Sequence, residues 1–211
     1  MPFTSWSWNI LGLSFAFSGL VTLFVEEHSQ KYDIGDISSF PYMHWALRGS
    51  ILLFEISAPI SMLVSAVVKY ALWPKALKGN GTAGLKRKAV LLQHNANVIM
   101  SLVEVGLLGG LPIRFTDMAL APMFGITYVF FAWGMRFQWV PSREPQFLYF
   151  FMDTTLGKTS TIALVVLVVI LTVFYGIFVV MADVILYLGG GLLVHSAIVV
   201  LISTLTCRFR D

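Results

Sequence analysis

Charge is scarce in this chain. Lys, Arg, Asp and Glu make up only 12% of its 211 residues and mean hydropathy reaches +0.81, which excludes a disordered, strongly solvated polypeptide. Cysteine occurs once, at Cys207, so no internal disulfide forms; the residue's place beside the last apolar run suits reversible palmitoylation. No phosphate-cradling loop or dinucleotide fingerprint is present. His28, His44 and His195 stand isolated, so neither a metal site nor a cofactor is expected. Internal repeats and low-complexity tracts are missing too. The first apolar segment has neither a basic leader nor a small-residue cleavage site, so no cleavable signal peptide is expected.

What the sequence has is long apolar runs, each near the roughly 20 residues that cross a bilayer as helix. Six spans are predicted, at about 4–25, 47–72, 89–110, 118–137, 159–183 and 186–206. Strands could span only as a closed barrel with alternating faces, whereas the run from Ile162 to Val180 is apolar on every face. The expected fold is therefore all-α: a polytopic transmembrane helical bundle forming a single domain over residues 1–211. Asp183, Tyr187 and the glycines 189–191 are read as the turn between the last two spans, with one long helix as the alternative. The stretch 73–88, with Gly79, Gly81 and Gly84 among its lysines, is expected to be a flexible loop.

Cations fall on one side of this map: Lys75, Lys78, Lys86, Arg87 and Lys88 after the second span, Arg136, Arg143 and Lys158 around the next loop on that side, Arg208 and Arg210 after the sixth. The other side carries Glu26, Glu27, Asp33 and Asp36 with few cations beyond Lys31, Arg48 and Arg114. By the positive-inside rule both termini are expected on the cytoplasmic or an equivalent side, in an endomembrane or an organelle membrane. The net charge of +3 is explained by this asymmetry and calls for no nucleic acid partner. The glycosylation pattern Asn80-Gly-Thr82 lies on the basic side and is expected to go unused.

One span departs from the rest. "LLQHNANVIMSLVEVG", residues 91–106, places His94, Asn97, Ser101 and Glu104 within about 80° of one helical face. Such a stripe avoids lipid, so it faces the bundle interior or a cavity. Amides and hydroxyls there can bond neighbouring helices, and small residues such as Gly106 and Gly110 let those helices approach. His94 stands near the basic end, whereas Glu104 and Glu55, the latter from the second span, reach the opposite half, where Arg48 and Arg114 also fall. Glu55 and Glu104 are therefore expected to be structural intramembrane acids, ion-paired or protonated. At the depth of His94, the parallel first span offers Thr4, Ser5 and Ser7 beside Trp6 and Trp8. Those tryptophans read as interfacial anchors and Thr4 alone reads equally as a helix N-cap.

The segments "FTSWSW", "LRGSILLFEISAPISMLVSAVV", "LLQHNANVIMSLVEV" and "WGMRFQWVP" with the later "FLYFFMD" resemble the androgen-induced family of integral membrane proteins, whose studied members are threonine hydrolases of fatty acid esters of hydroxy fatty acids. The likeness is a spaced set of short matches covering most of the chain up to about residue 155. It implies that Thr4 is the nucleophile and His94 its base, and it sets Glu104 where animal members also carry an acid. Family members usually have a further membrane helix ahead of the threonine. Their W-V-Y-P-F-L-acid run is expanded here to Trp139-Val-Pro and, later, Phe151-Met-Asp153. On this reading Asn95, Asn97 and Ser101 are the candidates for substrate or oxyanion contacts, a lipid ester is the substrate, and membrane lipids surround the bundle.

Two other classes remain open. A non-catalytic membrane subunit of a larger respiratory or photosynthetic complex, holding lipid or pigment, fits the same composition. A small transporter would explain the polar stripe, but the chain shows no inverted repeat and no paired broken helices.

Overall fold

The computed structural model describes residues 3–32, 41–79, 81–109, 111–139, 149–188 and 191–210. Within them the chain is a bundle of helices: α1 (Phe3–Tyr32), α2 (Pro41–Val67), α3 (Trp73–Lys78), α4 (Lys88–Leu91), α5 (Asn97–Val103), α6 (Leu120–Trp139), α7 (Lys158–Leu188) and α8 (Leu192–Thr206). Five continuous helical stretches are long and apolar enough to cross a membrane: Phe3–Glu27, Tyr42–Lys78, Lys88–Leu108, Phe115–Gln138 and Lys158–Ile185. The chain is a membrane protein of transmembrane helices.

The sixth expected span is shorter than foreseen. α8 has 15 residues, about 22 Å of helix against a hydrocarbon core of roughly 30 Å. α7 runs past Asp183 to Leu188 and α8 starts at Leu192 behind an extended Gly191, so Asp183 and Tyr187 are helical and the two are separate helices; Gly189 and Gly190 lie outside the described residues. α1 likewise continues to Tyr32, which makes Glu26 and Glu27 helical rather than part of a loop. The loop expected at 73–88 is also corrected: the second span carries on through a π turn at Val68–Leu72 into α3, and Trp73 is fully buried beneath the Arg208 guanidinium, 5.2 Å from its ring centroid. Arg143, Asp33, Asp36, Asn80 and Gly110 lie outside the described residues.

α2 is the hub. Two thirds of the apolar window of its span is buried (67%), against 17% for the first and fourth spans, and it touches α1, α5, α6, α7 and α8. Its sequence suits that position. Ser57, Ser61 and Ser65 recur every fourth residue and are all buried, which keeps one face narrow enough for close neighbours while their hydroxyls bond locally or across. Ser14 of α1 donates to the Ser50 carbonyl at 2.7 Å, pinning the first two helices together. Between α8 and the third span the approach is closer still: a Cβ built on Gly106 would collide with the Val199 side chain.

The third span is not a uniform helix. π turns at Leu92–Ala96 and Glu104–Leu108 flank α5, and Gly109 N–H bonds the Glu104 carbonyl five residues back at 2.7 Å. Each π turn winds more slowly than an α turn, so the polar line drawn at 100° per residue does not stay straight. Asn97 and Ser101 are buried, Asn95 is buried as well, and His94 and Glu104 are only partly covered.

Candidate functional site

Thr4 lies in the first turn of α1 and is buried. Its position inside the helix replaces the N-cap role that the sequence allowed. Phe3 and Trp6, either side of it, pack into an aromatic cluster with the fourth span: Phe3 stands 4.7 Å from the Tyr128 ring, and Trp6 4.9 Å from Phe131 and 5.6 Å from Tyr128. Trp6 is thus part of the packing that fixes the start of α1, whereas Trp8, 40% exposed, keeps the character of a surface anchor. The Tyr149 hydroxyl lies near the Thr4 side chain and the backbone amides of Phe3 and Thr4. Tyr128 likewise meets the Phe3 amide. Two phenols thereby lie beside N–H groups that a helix start leaves without intrahelical partners. Burial pushes the Tyr149 phenol above its usual pKa, with the nearby Thr4 hydroxyl and the two amides pulling the other way, so it remains protonated at neutral pH.

Thr4 and His94 line one cavity of about 230 Å³. The rest of its wall is almost wholly hydrocarbon and aromatic: Leu63, Val64 and Val67 of α2, Val129 and Trp133 of α6, Leu167 and Leu171 of α7, with Phe151 and Met152 closing one end. Trp133 is oriented by its indole N–H, which donates to the Met152 carbonyl at 2.9 Å. His94 sits within the π turn Leu92–Ala96, a local irregularity of the kind often found at functional positions. Its Nδ1 is buried without a hydrogen-bond partner. Among the described residues no hydrogen bond joins Thr4 directly to His94.

The three residues offered by sequence as substrate or oxyanion contacts do not line this cavity. Asn95 is turned toward the C-terminal segment: its Nδ2 donates to the Arg208 carbonyl at 2.9 Å, and its Oδ1 accepts from Arg208 N–H at 3.2 Å and Ser65 Oγ at 3.1 Å. Ser101 donates to the Asn97 carbonyl at 2.9 Å and faces Ser61 Oγ at 3.4 Å. Asn97 makes one long bond, Nδ2 to the Gln93 carbonyl at 3.4 Å, and leaves Oδ1 unpartnered. Asn95 and Asn97 are both buried although they point different ways, because the third span is enclosed by α1 and α2 as well as by α8 and the tail that follows it. That tail also buries Cys207, whose thiol lies 3.8 Å from Ser65 Oγ and 3.9 Å from the Asn95 carbonyl, so it is not the accessible juxtamembrane thiol that palmitoylation needs. Burial pushes that thiol's pKa up.

At the far end of the bundle Glu55 is fully buried and meets Arg114 three times: backbone N–H to Oε1 at 2.8 Å, Nε to Oε1 at 3.3 Å and Nη2 to Oε2 at 3.4 Å. Arg114 also pairs with Asp117, and its carbonyl accepts from Tyr175 at 2.9 Å. Arg48 instead lies over the Trp45 ring, 5.7 Å from its centroid. Glu104 begins the second π turn of the third span, away from His94.

Tyr149 is the site residue that sequence reasoning did not single out. It stands inside the quoted run "FLYFFMD", where an aromatic among aromatics reads as part of a hydrophobic belt, and no spacing rule ties it to Thr4. Compared with protein-family models, with curated proteins and with solved structures, the chain matches none.

Proposed function

We propose that the chain is an integral membrane hydrolase of lipid esters, of the type represented by the androgen-induced family, acting through Thr4 as nucleophile and His94 as base. The observation that carries this reading is that a buried threonine and a histidine with an unpartnered ring nitrogen, far apart in sequence, line one apolar cavity. A lipid ester needs both elements: hydrocarbon walls for the acyl chain and a nucleophile–base pair at the carbonyl. In the first step the Thr4 oxygen bonds to the ester carbonyl carbon while its proton passes to a His94 ring nitrogen. The C–O bond to the alcohol then breaks, and His94 returns the proton to the leaving alkoxide. Water, deprotonated by the same ring, releases the fatty acid and regenerates Thr4. Tyr149, which lines the same cavity as Thr4, is the hydroxyl that would donate to the oxyanion. Orientation follows the cation asymmetry: both termini on the cytoplasmic or equivalent side of an endomembrane, with the cavity near that face.

One observation favours the rival reading of a non-catalytic subunit in a larger complex: among the described residues no hydrogen bond joins the Thr4 hydroxyl to His94. Labelling with a fluorophosphonate probe separates the two. The hydrolase reading expects the purified parent to label, and Thr4→Ala and His94→Ala to lose labelling while retaining the parent's elution and thermal transition. A folded parent whose Thr4 is never modified, checked by peptide mass, leaves the subunit reading in place.

A further inference from the structure

The cavity that Thr4 and His94 share is small for a lipid. Its volume of about 230 Å³ falls below the roughly 300–1,000 Å³ of sites that enclose drug-sized ligands, and a lipid ester carries a long chain besides its carbonyl. A second void, of about 1280 Å³, lies beside it between α2, α7 and α8. Six residues line both: Leu63 and Val67 of α2, Leu72 in the π turn that follows, Leu167 of α7, and Tyr149 and Phe151. Residues that face two voids at once stand between them, so a single layer of side chains separates the Thr4 cavity from the larger space.

That layer is uneven. Leu63 belongs to the main core and Val67 and Leu167 pack against it, all three carried on long helices. Tyr149 and Phe151 instead stand at the short turn Phe150–Met152, their rings 5.3 Å apart and parallel within 13°. Two donors fix this turn: Ser160 Oγ bonds the Phe151 carbonyl at 2.5 Å and Trp133 Nε1 the Met152 carbonyl at 2.9 Å. Both hold backbone oxygens, so a change of rotamer at either ring breaks neither bond. Beyond the layer, the wall of the trough follows α7 from Ala163 to Ile177, about 21 Å at ~1.5 Å per residue. Val166, Val169 and Val173 on that wall are about half exposed, open to the hydrocarbon around a membrane protein. Among the described residues the charged members of the lining are Lys75 and Asp153, of opposite sign, so the trough favours an apolar chain over a charged headgroup.

We propose that the trough is the outer part of the acyl site: with the ester carbonyl at Thr4, the chain passes Phe151 and Leu167 and continues along α7 toward Ile177. This deepens the hydrolase reading and rests on it for the identity of the chain. It makes Phe151 and Leu167 the residues that set chain length, because a short acyl group fits the inner cavity and a long one has to cross the layer they form.

Two fatty acids carrying a diazirine at the third carbon, one hexanoic and one hexadecanoic, test it on the full chain in detergent, with the modified residues read by peptide mass. Tyr128 lines the inner cavity and is 3% exposed, so it is marked from within. Val169→Trp fills the trough from a position outside the inner lining. Marking of Tyr128 by the hexadecanoic probe is expected to fall about fivefold or more, the least that overfilling a site costs, with less than about a twofold change for the hexanoic probe. Leu205→Trp, on the α8 wall, gives the same pattern, and Val165→Trp, on a face of α7 outside both linings, changes neither probe. Long-chain marking unmoved by Val169→Trp and Leu205→Trp, equal losses for both probes, an effect of Val165→Trp as large as that of Val169→Trp, or no marking of Tyr128 overturns the proposal. Marking needs no nucleophile, so Thr4→Ala keeps the pattern. A parent that shows the pattern yet never reacts at Thr4 with a fluorophosphonate loses the hydrolase reading, while the passage of the chain into the trough stands.

Discussion

The two ends of the bundle bury polar groups in opposite states. At the end away from the basic loops, Glu55 is wholly enclosed, yet each of its oxygens meets Arg114, and Tyr175 bonds the Arg114 carbonyl in turn. Asp117 Oδ2 lacks hydrogen-bond angles but still reaches Arg114 Nη2 at 2.5 Å. At the basic end, Ser7 Oγ, His94 Nδ1 and Asn97 Oδ1 are buried with no partner among the described residues, where His195 Nε2 on α8 is the other such atom besides Asp117 Oδ2. Within hydrocarbon an unsatisfied polar group costs stability, so a satisfied knot reads as architecture and an unsatisfied group beside a cavity reads as chemistry waiting for a ligand. Asn95 shows that the division is not simply one of depth: it is on the same π turn as His94 but belongs to the satisfied class, closed by Ser65 and Arg208.

If the comparison is right, the heaviest losses come from cutting the satisfied groups. Arg114→Met leaves the Glu55 carboxylate enclosed without a counter-charge. It should cost about 3 kcal/mol, the low end for breaking a buried pair because the Arg114 side chain is itself 49% exposed. Reversible unfolding in mixed micelles would measure it, and a variant as stable as the parent would show that Glu55 does not depend on its partner. Asn95→Ala removes three side-chain bonds and strands the Arg208 carbonyl, with an expected cost of about 2 kcal/mol. Loss of tail protection in hydrogen exchange would accompany it. Gly106→Ala should cost about 1 kcal/mol through its collision with Val199, and Val199→Ala in the same chain should recover most of that. Two penalties that merely add would mean that the helices part instead of clashing.

Much of this could be read before the structure. The lengths of apolar runs found four spans within three residues and the second short by five or six at each end, because crossing a bilayer sets a minimum length that composition reveals. The π turns could not be found that way: Leu92–Ala96 differs from an α turn only in its winding, and nothing in "LQHNA" announces it. The shortness of α8 was hidden as well, since its residues are as apolar as any span. That Thr4 and His94 stand at one depth and line one cavity was legible from residue type and position, and the resemblance suggested pairing them. Tyr149 and the partners of Asn95 were not, because both depend on segments that meet only in the folded chain, Phe3 and Thr4 with Tyr149 in one case and Asn95 with Arg208 in the other.

The smallest stability effect is also the sharpest test of the comparison. Ser7 is fully buried, yet its hydroxyl has no partner, so Ser7→Ala deletes a polar atom that contributes no hydrogen bond. Within about 0.5 kcal/mol of the parent is the expected result, with a slight gain in stability because the group's desolvation was never offset. His94→Leu follows the same logic: its ring makes no bond that the fold requires, so stability should stay near that of the parent while reaction with a fluorophosphonate probe disappears. A large loss of stability in either variant would reveal a partner, such as an internal water, and would show that the residue helps to hold the helices together. A loss of labelling with no loss of stability would separate the two ends of the bundle by function, because no substitution at Glu55 or Arg114 can produce that pattern without first weakening the fold.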